Sequence, residues 1–140
     1  MYKLLIVDDE KQVREGLKRL LPWQDYGITI IGEAINGREA LGIIEDQRPD
    51  IVLLDIQMPV MDGYELVSEL RSAGYQIPVL MITAKSSFDD MRQGFLSGSD
   101  DYMVKPVNVN EMVLRVGALL RRAQILNEHK IVIGSTEFDY

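Results

Sequence analysis

Runs rich in Val, Ile and Leu at residues 4–7, 28–31, 51–54 and 79–82 do not alternate with polar residues. A strand of that composition must be covered on both faces, and only a parallel sheet with helices on each side does so routinely. A weaker fifth run lies at Tyr102-Met103-Val104. Between the runs, apolar residues recur at helical spacing. Val13, Leu17, Leu20 and Leu21 mark a first helix ended by Pro22, and Ala40, Leu41 and Ile44 a second, stopped before Pro49. Leu66, Val67 and Leu70 mark a third, closed by Gly74, and Phe88, Met91 and Phe95 a fourth, ended near Gly98. Met112, Val113, Val116, Leu119 and Leu120 mark a longer fifth, reaching about Asn127. This alternation predicts an α/β fold, a doubly wound five-stranded parallel sheet with five helices and right-handed crossovers.

The 140 residues suit one compact domain, able to bury roughly two thirds of its unfolded surface without staples. Cysteine is absent, so disulfides and thiolate metal sites are excluded, and a cytosolic setting is expected. No apolar run approaches the ~20 residues of a membrane span. The opening apolar stretch runs directly into Asp8-Asp9-Glu10, unlike a signal peptide. A net charge of −7 opposes nucleic-acid binding by this segment, because phosphate contacts need concentrated Lys and Arg. The single histidine, His129, excludes multi-histidine metal sites and leaves a serine triad without a base; it is read as a solvated linker residue.

In doubly wound sheets, ligands sit beyond the carboxyl ends of the strands, where strand order reverses. Asp8 and Asp9 follow the first predicted strand, Asp55 follows the third, Thr83 ends the fourth and Lys105 follows the fifth. Taken singly, each has an ordinary explanation: a helix cap for Asp, a strand-end residue for Thr83, a solvated charge for Lys105. Their joint arrival at one edge favours chemistry. Clustered carboxylates raise one another's pKa unless a cation neutralises them. Mg²⁺, for which Mn²⁺ can substitute, takes a few carboxylate oxygens and completes its shell with water and phosphate. A carboxylate can attack a phosphoryl group whose charge is neutralised, and lysine, hydroxyl and metal together form the clamp that phosphoryl transfer needs. A glycine-rich phosphate loop and a Gly-x-Ser-x-Gly elbow are both missing from the sequence.

The stretches Leu5-Ile6-Val7-Asp8-Asp9-Glu10, Asp50 to Pro59, Met61-Asp62-Gly63, Ile82-Thr83-Ala84 and Asp100 to Pro106 resemble, in order, the receiver domain of a two-component response regulator. The resemblance implies the flavodoxin-like receiver fold over residues 1–126. It implies that Asp55 accepts phosphate from a sensor histidine kinase, and that Asp8, Asp9, Asp55 and the Gln57 backbone carbonyl hold Mg²⁺. Thr83 and the Ala84 N–H would hold phosphoryl oxygens, Lys105 would pair with another, and Lys105-Pro106 would be cis. Tyr102 matches the switch aromatic that responds to Thr83. Gln57 and Lys85 occupy positions that tune phosphate lifetime. Such a domain is a switch rather than an enzyme, with weak self-phosphorylating and self-dephosphorylating activity.

In the winged-helix (OmpR-type) subfamily, the face made by the fourth helix, fifth strand and fifth helix forms a homodimer on phosphorylation. Asp100, Asp101, Glu111, Arg115 and Arg122 fit that charged face, whereas Met91 stands where a basic partner of Glu111 is common. Residues 131–140 read as a strand, a turn and a second strand. Residues 127–140 are therefore expected to be a linker and the start of a truncated DNA-binding domain, through which alone DNA would be contacted. Leu21-Pro22-Trp23 and Gly32 to Gly37 instead resemble receivers coupled to an AraC-type helix-turn-helix output. Two rival readings stand beside the switch. One is a phosphorylation-independent pseudo-receiver that dimerises. The other is a Mg²⁺-dependent phosphohydrolase with Asp8 as nucleophile.

Overall fold

The computed structural model describes residues 1–56, 58–84, 92 and 98–135, and for 125–135 only the course of the backbone. Five strands form one wholly parallel sheet: β1 Tyr2–Val7, β2 Ile28–Ala34, β3 Ile51–Leu54, β4 Val79–Thr83 and β5 Asp101–Val104, in the order β2-β1-β3-β4-β5. The helices are α1 Lys11–Arg19, α2 Gly37–Gln47, α3 Gly63–Ser72 and α4 Val109–Ser135, with a 3-10 turn at Trp23–Tyr26. The helix expected around Phe88, Met91 and Phe95 lies outside the described residues. The C-terminal helix α4 is therefore the fifth helical pattern of the sequence.

Strand periodicity divides the core in two. Leu4 and Ile6 of β1 point to one face, where they meet Leu17 of α1, Trp23, and Met112, Val116 and Leu119 of α4. Leu5 and Val7 point to the other, against Ala40 and Ile44 of α2 and Leu66, Val67 and Leu70 of α3. Both faces of the inner strands are covered, which is why β3 and the buried part of β1 are wholly apolar. Trp23 is buried, and its ring N–H donates to the Leu17 carbonyl at 2.9 Å, so it is a core residue.

Helix starts are set by local hydrogen bonds. The Asn36 side chain accepts from Glu39 N–H at the head of α2. Asp62 and Glu65 form a reciprocal capping box on α3, and the Asn108 side chain accepts from Glu111 N–H on α4. The helix α4 continues to Ser135, past the end expected near Asn127 and through residues 131–134, which the sequence reading makes a strand. A helix satisfies its backbone groups within its own segment.

Two glycines let the loop after β3 close tightly. A Cβ on Gly63 would stand 2.6 Å from the Asp55 carbonyl oxygen and 3.0 Å from Ile56 Cα, while Gly63 N–H donates to Ile56 O at 2.8 Å. A Cβ on Gly37 would stand 2.6 Å from Met61 Cγ, and Gly37 N–H donates to Met61 O at 2.9 Å. Gly42, by contrast, lies inside α2 with open space around it. Gly63→Ala is expected to lower stability by about 1–3 kcal/mol through overpacking. Gly42→Ala is expected to raise it by about 0.5–1 kcal/mol. Urea denaturation of the two variants checks both signs; a neutral Gly63→Ala would show that the loop is not tightly packed against α3.

Candidate functional site

The sheet order puts β1 between β2 and β3, so chain direction away from β1 reverses between those neighbours, and the carboxyl ends of β1 and β3 flank the switch point. Asp8 and Asp55 sit there. Asp8 N–H continues the β1–β2 ladder by donating to Ala34 O at 3.0 Å, and Asp55 N–H extends the β1–β3 ladder by donating to Val7 O at 2.9 Å. Both side chains are buried, whereas Asp9 and Glu10 are exposed. Lys105 reaches over from the end of β5, its Nζ 3.6 Å from Asp8 Oδ2 and 3.8 Å from Asp55 Oδ1. Its backbone N–H donates to Thr83 O at 2.7 Å, so the ends of β4 and β5 are locked together where the ammonium emerges. The Lys105–Pro106 peptide is cis, as the sequence led us to expect.

Electrostatics mark this edge as unfinished. Burial first, and then the neighbouring Asp8 charge, push the Asp55 carboxyl up from 3.8 to about 6, with Lys105 only partly offsetting them. Asp8 is also raised, chiefly by burial, against the opposing pull of the Glu10 N–H and Lys105. Among the described residues, one ammonium serves two buried carboxylates. The carboxylate oxygens of Asp8, Asp9 and Glu10 lie within 4.8 Å of one another, a donor set of the hard-oxygen kind. Glu10 was not anticipated as a member of this cluster; the unbroken acidic triplet directly after a strand was the available signal. Its backbone N–H donates to Asp8 Oδ1 at 2.9 Å, fixing the Asp8 side chain at the head of α1.

Of the other anticipated residues, Thr83 is buried at the end of β4, and Tyr102 is buried in β5 within the core shared with Met81. Gln57, Lys85 and Met91 lie outside the described residues. On the β5–α4 face, Asp101 accepts two hydrogen bonds from Arg115 Nη1 at 2.8 and 2.9 Å, and Glu111 accepts from Arg115 Nη2 at 3.2 Å. Arg122 is exposed. Asp100 is engaged within the domain: its Oδ2 accepts from Arg71 Nη2 at 2.9 Å and from Val79 N–H at 2.8 Å. Arg71 also donates to the carbonyls of Gly98, Tyr75 and Ile77, tying the end of α3 to the approaches of β4 and β5. A groove of about 330 Å³ lined by Tyr2, Trp23, Tyr26, Leu114 and Gly117 lies toward the opposite end of the strands, away from the carboxylates.

The sign of the Asp55 shift gives a pH dependence. Its carboxyl binds a proton more tightly in the folded protein (about 6) than in the unfolded chain (3.8). Its contribution therefore favours the fold below pH 3.8 and is lost as pH rises through about 6. In metal-free buffer, the wild type should be more stable at pH 5 than at pH 7. Asp55→Asn should flatten that difference and gain about 1–3 kcal/mol at pH 7, since one pKa unit is worth about 1.4 kcal/mol. Thermal or urea unfolding at both pH values checks this; an Asp55→Asn variant less stable than wild type at pH 7 would contradict the charge strain.

Comparison with known proteins agrees with the geometry. Residues 4–117 match the family model described as the response regulator receiver domain. The chain is 43% identical over 120 residues to "Response regulator MprA" of Mycolicibacterium vanbaalenii, an alignment covering 86% of this chain and 51% of that protein. It thus spans about half the length of the curated relatives it matches. Among solved structures, it resembles the Francisella response regulator 1452 receiver domain with 34% identity and a TM-score of 0.79, covering 87% of this chain and 98% of that one. It also resembles the REC domain of AraT, a response regulator from Geobacillus stearothermophilus, with 28% identity and a TM-score of 0.80, covering 90% and 98%. The chain belongs to the response regulator receiver domain family and is a receiver domain of two-component signalling.

Proposed function

We propose that Asp55 is the phosphoacceptor of a Mg²⁺-dependent switch, and the observation that carries this is a buried Asp55 facing Lys105 beside Asp8 at the switch point of the sheet. With its carboxyl at about 6, Asp55 is mostly ionised at neutral pH and can act as the nucleophile. A carboxylate oxygen of Asp55 attacks the phosphorus, the bond from phosphorus to the donor histidine nitrogen breaks, and that nitrogen keeps the electron pair. The product is an acyl phosphate. The Lys105 ammonium pairs with phosphoryl oxygens, and Thr83, at the end of the adjacent strand, supplies a hydroxyl. The donor is a sensor histidine kinase, the partner that membership of the family implies.

Asp8, Asp9 and Asp55, with Glu10 close by and the Gln57 carbonyl as a further ligand, would hold Mg²⁺. When bound, the ion neutralises carboxylate and phosphoryl charge, as phosphoryl transfer requires. The residues suit it: two buried carboxylates share one ammonium, and the exposed Asp9 and Glu10 leave the site open to water and phosphate.

The output is a population shift. Thr83 is drawn toward the phosphoryl group, and Tyr102, buried in β5 two residues from Val104, responds on the face that carries Asp101, Glu111 and Arg115. That face then dimerises and controls a DNA-binding domain beyond this segment. The ion pairs from Arg115 to Asp101 and Glu111 are intramolecular here, so dimer contacts would recruit residues already engaged.

Incubation with Mg²⁺ and acetyl phosphate, followed by intact-mass analysis and light scattering, tests this. One adduct, on Asp55, is expected, with a shift toward dimer and no adduct in Asp55→Asn. Persistent labelling of Asp55→Asn at the same stoichiometry would refute the assignment, and sustained turnover of phosphate esters would favour the phosphohydrolase. Lys105→Ala should keep Mg²⁺ binding but lose phosphate-driven dimerisation; normal dimerisation would count against the role given to Lys105.

A further inference from the structure

The first turn of α1 and the end of β2 carry a group of charges that the phosphoacceptor reading does not use. Arg14 is largely buried, with its side chain 13% exposed. Its two donors serve different acceptors: Nη1 donates to the Asp8 backbone carbonyl at 2.7 Å, and Nε donates to Glu33 Oε1 at 3.0 Å. Glu33 is held in turn by Lys18, whose Nζ lies 2.9 Å from Glu33 Oε2 and 2.8 Å from Glu15 Oε1.

The Asp8 carbonyl belongs to the peptide that joins Asp8 to Asp9, so its orientation sets how the two carboxylates are presented to one another. Two other ties act on the same loop: Asp8 N–H on Ala34 O, and Glu10 N–H on Asp8 Oδ1. Neither fixes that peptide plane. Ala34 is the neighbour of Glu33, so the end of β2 anchors both the strand end of the loop and, through Glu33, the guanidinium that clamps its middle. The planar guanidinium suits this task because its donors are in a fixed fork.

We infer that Arg14, oriented by Glu33, is a positioning residue for the divalent cation site, holding the Asp8–Asp9 peptide so that the carboxylates of Asp8, Asp9 and Glu10 converge. The inference rests on the Mg²⁺ reading above and extends it to residues outside the ligand set.

Electrostatics and positioning predict opposite signs, which makes the test decisive. Removing a cation near a cation site should tighten Mg²⁺ binding, whereas releasing the loop should weaken it. Calorimetric titration of the whole chain with MgCl₂ is the measurement, with unfolding in EDTA reporting stability separately. Arg14→Gln is expected to weaken Mg²⁺ binding about tenfold, the scale usual for residues that orient metal ligands. Binding equal to or tighter than wild type, with or without a fall in stability, would overturn the inference. Should Arg14→Gln fail to fold, Arg14→Lys keeps the charge but not the fork: several-fold weaker binding supports the role, and unchanged affinity overturns it. A wild-type protein that binds no Mg²⁺ would instead sink the metal reading itself.

Discussion

Among the described residues, two carboxylates almost out of water, Asp8 and Asp55, face a single ammonium, Lys105, across less than 4 Å. A buried charge is tolerated only when it is paired and hydrogen-bonded, and among the described residues Lys105 alone pairs with both, which on the proposed reading leaves room for one more cation. The rest of the site follows from that arrangement. The Asp55 carboxyl moves up to about 6, close enough to neutrality to stay nucleophilic yet sensitive to any cation that arrives. The exposed Asp9 and Glu10 widen the acidic patch toward solvent, where a hydrated ion can enter. A structural ion pair would have been balanced; this one is poised.

The fold supplies the placement. Strand order sets β1 and β3 side by side, so the residues directly after Val7 and Leu54 become neighbours although they are far apart in the chain. Gly63 lets the head of α3 come down on the Asp55 carbonyl, and Gly37 lets Met61 lie against the head of α2, so the loop after β3 is held from both sides. Lys105 is brought in by the β4–β5 ladder. The opposite end of β4 and β5 is fixed by Arg71, Asp100 and three backbone carbonyls. The carboxyl edge therefore gathers the buried carboxylates and Lys105 while the amino edge carries the clamp.

The fold was legible in the sequence because doubly buried strands have a composition that little else produces. All five strands fall where the apolar runs predict, with edges shifted by a few residues at most. The acid–lysine set was legible for the same reason: each member abuts a strand, so strand assignment alone brings it to the edge. What escaped were interactions that depend on distance rather than on motif. Glu10 and Arg14 look like ordinary helix-surface residues until the loop geometry shows what they touch. Asp100 reads as an interface charge beside Asp101, and its pairing with Arg71, nearly thirty residues earlier, leaves no mark in the sequence. The length of α4 escaped too, because the β-branched residues Ile131, Val132 and Ile133 carry strand propensity while the helix continues through them.

The central claim, that the site is a cation short and Asp55 is its titrating member, is tested most directly by calorimetry of Mg²⁺ binding at pH 6 in buffers of different ionisation enthalpy. With the Asp55 carboxyl at about 6, roughly half a proton should leave the protein on binding at that pH. The release should shrink by pH 8 and fall sharply in Asp55→Asn. Binding with no proton release at pH 6, or the same release from Asp55→Asn, would contradict the account.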